Sequence, residues 1–220
     1  MNKKAYMLKY NHTKFFTILL SLLFCFGLII LIIAKKETVF NDLEKCNLNS
    51  NASSFKDFQG KFSLINEEGL TVSSNELLDK PSLLYFGYTY CPDICPFDLM
   101  RNSNAVELLE LEDIKVKPIF ISVDPERDTP SVLKDFTSFH HPDMVGLTGS
   151  EKQLDKVKKI YKVYSEIPKN NKKDYIVNHS TFSYFILPED GVQTYFTRKD
   201  SPRIIADAMK CIIDTKIEKN

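Results

Sequence analysis

Apolar and polar residues are unevenly distributed along the chain. From Phe15 to Ala34 the sequence "FFTILLSLLFCFGLIILIIA" carries no charge. Twenty such residues rise about 30 Å as a helix, the thickness of a bilayer's hydrocarbon core. The stretch is too long for a signal-peptide core and runs into Lys35-Lys36 with no small-x-small cleavage site, so it reads as a retained anchor. Cys25 follows bulky Phe24, unlike a lipoprotein signal, and reads as a small apolar residue of the span. Beyond Ala34 the pattern becomes mixed. "SLLYFGYTY" (Ser82–Tyr90), "VKPIFISVD" (Val116–Asp124) and "FSYFILP" (Phe182–Pro188) are continuous apolar runs suited to strands buried on both faces. Gly60–Ser74 reads as a hairpin turning at Asn66-Glu67-Glu68-Gly69, and "VQTYF" after Asp190-Gly191 closes another.

Helical spacing fills the gaps. Pro96–Leu111, a helix starting at Asp128-Thr129-Pro130 and running to about Phe139, Gln153–Tyr164 and Arg203–Lys216 each have an apolar stripe or a start signal. Strands alternating with helices predict an α/β sandwich with hairpin additions. Four segments follow: a leader (1–14), an anchor (15–34), a polar tether (35–54) and one folded domain (55–217). A domain of that size buries about 70% of its unfolded surface and needs no disulfide.

Charge adds orientation and an exclusion. Lys+Arg and Asp+Glu are each 29, which speaks against a nucleic-acid protein. Lysines before the span slightly outnumber those just after it, placing the N-terminus in the cytoplasm and the domain outside. The leader has no arginine, unlike a mitochondrial transit peptide, and a bacterial inner-membrane protein with a periplasmic domain is the simplest fit.

The candidate chemistry lies in "YFGYTYCPDICP". Cys91 and Cys95 stand where a strand passes into a helix, one turn apart, near free amides that favour thiolate. Three readings stay open from these residues: a structural disulfide, a redox pair, or two soft ligands for Cu(I) or Zn(II) that need a third from elsewhere. The spacing exceeds that of the common two-residue redox motif, and the chain has no Trp. His140 and His141, near Met144, form a possible copper-binding loop, with exposed histidines at a helix end as the plainer reading. His179, directly before the third apolar run, is either a hydrogen-bonded structural residue or a ligand. Asp93 reads as a helix-start residue bonded to free amides. Cys46 and Cys211 have no nearby partner in sequence and are assigned no role beyond a stray intermolecular disulfide.

"YFGYTYCPDICP", "PIFISVDPERDTP", "GLTGS" and "HSTFSYFILPEDG", in that order, resemble the Sco (SenC) proteins of copper delivery, over about Phe55 to Ala208. The resemblance implies a thioredoxin-like fold with an extra hairpin. It also implies one copper ion held by Cys91, Cys95 and His179, and help in metallating the binuclear copper centre of cytochrome c oxidase. The expected partners are the oxidase's copper-bearing subunit or its assembly factors, together with a thiol reductant. Two rival functions are a thiol–disulfide oxidoreductase acting on the oxidase's cysteines and a redox or copper sensor. Many relatives have Asp before the ligand His, where this chain has Asn178; a carboxylate there would orient or tune the ring.

Overall fold

The structure is a computed structural model that describes residues 18–30, 46, 58, 60–168 and 174–217. The chain divides into two compact units, Met1–Lys45 and Cys46–Asn220. In the first, residues 18–30 form a helix, α1, whose Ile, Leu and Phe side chains are exposed. No helix among the described residues is long and apolar enough to cross a membrane. The remainder of the expected 15–34 span, the 1–14 leader and nearly all of the tether lie outside the described residues.

In the second unit, strands β1 (Ser63–Asn66) and β2 (Thr71–Ser73) pair antiparallel. Their turn places Gly69 at a φ of 75°, a conformation costly for residues with a Cβ. A short helix, α2 (Ser74–Leu77), follows, capped by the reciprocal Ser73–Glu76 bonds of a capping box. Then come β3 (Ser82–Gly87), α3 (Ile94–Glu110), β4 (Lys117–Ser122), α4 (Pro130–His140), β5 (Val145–Thr148) and α5 (Glu151–Ile160). The chain ends with β6 (Ser165–Glu166), β7 (Asn178–His179), β8 (Ser183–Leu187), β9 (Gly191–Phe196) and α6 (Pro202–Ile217).

Among the described residues, seven strands form one sheet in the order β2-β1-β5-β4-β3-β8-β9. Its centre, β5-β4-β3, is parallel, and the hairpins join antiparallel at both sides. Strand β3 is buried at every position, as its unbroken apolar run requires. Successive side chains leave opposite faces. Leu83 packs with Phe185 and with Val106, Leu109 and Met209 of α3 and α6. Leu84 and Phe86 pack on the other side, where Phe86 lies against Tyr161 and Tyr184.

Two features depart from the sequence reading. The strand β5 is not signalled by its four residues, which include a glycine, yet it completes the parallel centre of the sheet. Cys46 and Cys211 are joined by a disulfide across a sequence separation of 165. This corrects the reading that gave them no role. It ties the expected tether to α6, and Cys46 packs against the core cluster that holds Leu109, Phe185 and Met209. Cys91 and Cys95 are free thiols.

Candidate metal centre

The end of β3 and the start of α3 bring Cys91 and Cys95 together. Helix α3 opens at Ile94, so Cys91 lies just outside it and Cys95 is its second residue. The Cys95 amide donates to Cys91 Sγ at 3.3 Å, one of the free amides expected at a helix start. Cys95 is fully buried and Cys91 is 8% exposed, so Cys91 is the sulfur nearer the solvent. Asp93 occupies the cap position but makes no side-chain cap bond, contrary to its sequence reading.

The third member of the cluster arrives from a separate two-stranded ladder. Strand β7 pairs with β6, placing His179 opposite Ser165. The imidazole Nε2 lies 3.3 Å from Cys95 Sγ. Nδ1 is 2.8 Å from the Ser180 carbonyl, which can only accept, so Nδ1 carries a proton and donates it. That tautomer leaves Nε2 as the donor atom facing the sulfurs, the arrangement usual for a ligating His. The two Sγ atoms and a ring nitrogen all lie within 4.8 Å of one another, the only such His/Cys/Asp/Glu cluster among the described residues. Asn178 is exposed, and the ring is oriented through Ser180 rather than by the preceding side chain.

The two thiols share their protons unequally. The Cys91 thiol is lowered by its hydrogen bond with Cys95, against the cost of burial, and further by His179 and the Cys95 and Asp93 amides. The Cys95 thiol is raised by the same bond to Cys91 and by burial. One thiolate therefore forms readily, and a second negative sulfur in this buried space calls for a cation. A soft metal ion would supply it.

Several residues that sequence reasoning did not single out shape the site. The Tyr85 hydroxyl donates to buried Asp98 at 3.0 Å, and Asp98 pairs with Arg101 at 3.2 Å. Burial, then the charges of Cys95 and Asp98, push the Tyr85 phenol up, so it stays a proton donor. Gly87, at the end of β3, leaves room for sulfur: a Cβ there would sit 3.0 Å from Cys95 Sγ and 2.9 Å from Phe120. A glycine inside an apolar strand is the available signal of such close approach. Asp128 is not a helix cap. Its buried carboxylate accepts from Thr89 (amide and hydroxyl) and from the Ser122 hydroxyl, while Thr129 caps α4.

The two histidines of the His140–His141 loop are engaged in other contacts. His141 is buried, and its Nδ1 accepts from the Asp143 amide at 3.1 Å. His140 packs edge-on against Phe136 and Phe139. Neither belongs to the cysteine cluster.

The family model described as SCO1/SenC matches residues 50–214 of this sequence. The chain belongs to the SCO1/SenC family. Protein SenC of Rhodobacter capsulatus is 44% identical over 155 residues, which make up 70% of this chain and 70% of that protein. ScoI of Arabidopsis thaliana, solved with copper bound, matches with a TM-score of 0.67 at 36% identity, over 71% of this chain and 99% of the other. BsSco, in which a disulfide switch was identified, is a member of the Sco family of cytochrome c oxidase assembly proteins. It matches with a TM-score of 0.56 at 27% identity, over 69% of this chain and 91% of its own. The second unit thus has the thioredoxin-like Sco fold, with the β1–β2 and β8–β9 hairpins flanking its parallel strands.

Proposed function

We propose that this Sco-family chain is a membrane-anchored copper metallochaperone whose cargo, Cu(I), is held by Cys91, Cys95 and His179. The observation that carries the reading is the convergence of two sulfurs and an imidazole Nε2 within 4.8 Å, with the other ring nitrogen already committed to a carbonyl. Two thiolates and one neutral nitrogen suit Cu(I), and the net negative pair of sulfurs offsets its charge. Three ligands leave copper open to attack by an acceptor's sulfur or nitrogen. Cys91, the more exposed sulfur, lies on the side from which such a group would enter. A groove beside it, lined by Tyr90, Pro96, Phe136 and Phe139, offers apolar surface to an incoming partner.

The acceptor we infer is the binuclear copper centre of cytochrome c oxidase or a factor that assembles it, in keeping with the family of BsSco. The site requires reduced thiols, since a Cys91–Cys95 disulfide leaves no thiolate for Cu(I). A thiol reductant partner is therefore part of the reading. We place the domain outside the cytoplasm, anchored through the 15–34 stretch. The Cys46–Cys211 disulfide supports an oxidising compartment, and α1 is uncharged with its apolar side chains exposed.

The rival, a thiol–disulfide oxidoreductase, uses the same two cysteines but has no need of His179. The full chain, purified in detergent, is loaded with Cu(I) under anaerobic reducing conditions and compared with Cys91→Ser, Cys95→Ser and His179→Ala. One copper per chain, lost in either Ser variant and weakened in His179→Ala, is the expected pattern. Efficient reduction of a disulfide substrate by the metal-free chain, indifferent to His179→Ala, would favour the oxidoreductase.

A further inference from the structure

The two parts of the metal centre lie on separate segments, and one side-chain cluster joins them. After β4 the chain turns through Asp124–Pro130. Asp124 is fully buried, and its Oδ2 accepts from Arg127 Nε at 2.5 Å. Its Oδ1 accepts from the Tyr175 hydroxyl at 2.6 Å. The Arg127 guanidinium lies 3.6 Å from the centre of the Tyr175 ring, 4.9 Å from that of Tyr90 and 5.5 Å from that of Tyr88. Asp124 offsets the guanidinium charge, while Nη2 is buried without a hydrogen bond and has aromatic faces beside it instead. Tyr175 is four residues before His179, on the same segment. Tyr88 and Tyr90 flank Thr89 just ahead of Cys91, and Thr89 is itself bonded to Asp128 of the same turn. Tyr88 also meets the His179 ring edge-on at 5.7 Å.

We propose that Asp124, Arg127 and Tyr175 form a latch that positions His179 over the two cysteines and sets what fraction of bound copper has its third ligand. The proposal rests on the reading of His179 as a copper ligand. The latch has the parts that such a task needs. One end, Asp124, is buried in the core. The planar guanidinium bridges both segments at once. The other end, Tyr175, sits on the segment of His179, which is held further along by buried Val177, by the two-residue β6–β7 ladder and by the bonds between Ser180 and Tyr164. With the latch closed, the imidazole is held ready and pays little ordering entropy on binding copper. With it open, copper retains the two thiolates alone. These three are positioning residues: none of them touches the metal cluster.

The test uses the full chain in detergent, loaded with Cu(I), in four forms: wild type, Tyr175→Phe, His179→Ala and the double variant. Tyr175→Phe keeps the ring and removes the bond to Asp124. It is expected to weaken Cu(I) binding about 3- to 10-fold in competition with a Cu(I) chelator, as the share of chains holding the His in place falls. Copper X-ray absorption should show fewer nitrogen neighbours with both sulfurs retained. In the His179→Ala background Tyr175→Phe should change neither quantity, because the latch acts only through His179. Arg127→Lys keeps the charge but loses the planar stack, and it should reproduce the Tyr175→Phe result. If Tyr175→Phe and Arg127→Lys bind copper like wild type while His179→Ala is weakened, the latch is wrong and the ligand reading stands. Equal weakening in both backgrounds also overturns the latch, since it reports a general structural loss. If His179→Ala binds copper as tightly as wild type, the three-ligand reading fails and the latch falls with it.

Discussion

Replacing both Cys46 and Cys211 with Ser tests the disulfide that ties the tether to α6. The double variant is preferable to either single one, because a lone thiol could exchange with Cys91 or Cys95. The bond closes a loop spanning 165 residues of sequence separation. On the chain-entropy account, a loop of that length restricts the unfolded chain by about 5 kcal/mol, and disulfides commonly deliver about 2–4. Residual compactness of the unfolded chain lowers the figure further. The assay is urea unfolding of the metal-free full chain in detergent, followed by far-UV circular dichroism. With a slope of about 2 kcal/mol/M, a loss of 2–4 kcal/mol moves the midpoint down by about 1–2 M. A thiol reductant should move wild type by the same amount and leave the double variant unchanged, because Cys91 and Cys95 are already free. Copper stoichiometry should stay the same, since neither residue is in the metal cluster. A midpoint shift below about 0.3 M would refute the reasoning, as would a reductant effect that persists in the double variant.

Other residues give sharper tests of the site. Gly87→Ala places a methyl group 3.0 Å from Cys95 Sγ and 2.9 Å from Phe120; chelator competition should show Cu(I) affinity lowered about 10-fold, with overpacking costing about 1–3 kcal/mol of stability in urea unfolding. Asn178→Asp should change Cu(I) affinity by less than about threefold in the same competition, because position 178 is exposed and charges there are screened. Burial lowers the His140 imidazole below its ordinary value of 6.5, so the unfolded chain binds the proton more readily than the folded one. Stability measured across pH should therefore fall as pH drops below 6.5, and His140→Gln should remove that part of the slope.

The strands and helices that carry the site were legible because their patterns are strong. Of the apolar run Ser82–Tyr90, the part to Gly87 became a strand buried throughout, and the helix after Cys91 began within two residues of the expected place. Strand β5 was not legible, since four residues with an internal glycine have too little periodicity. Helix α5 starts two residues before the expected Gln153, because Ser150 and Gln153 form a capping box that extends it backward. The cysteine pair announced itself by spacing. His179 was legible only in part, because a group 84 residues from Cys95 is brought to it by tertiary structure: its position left a structural role and a ligand role open, and the family resemblance pointed to the ligand. Tertiary structure also brings together Cys46 and Cys211, whose pairing depends on where α6 returns. Asp128 shows how a local rule can mislead. Its place before Thr129-Pro130 suits a cap, but Thr89, nearly forty residues earlier in sequence, claims its carboxylate, and Thr129 caps the helix instead.

Copper K-edge X-ray absorption on the Cu(I)-loaded full chain tests the central claim most directly. The account predicts a three-coordinate site with two sulfur neighbours and one imidazole nitrogen, and loss of the nitrogen signal in His179→Ala with both sulfurs kept. A two-coordinate, sulfur-only spectrum in wild type, unchanged by His179→Ala, would contradict it.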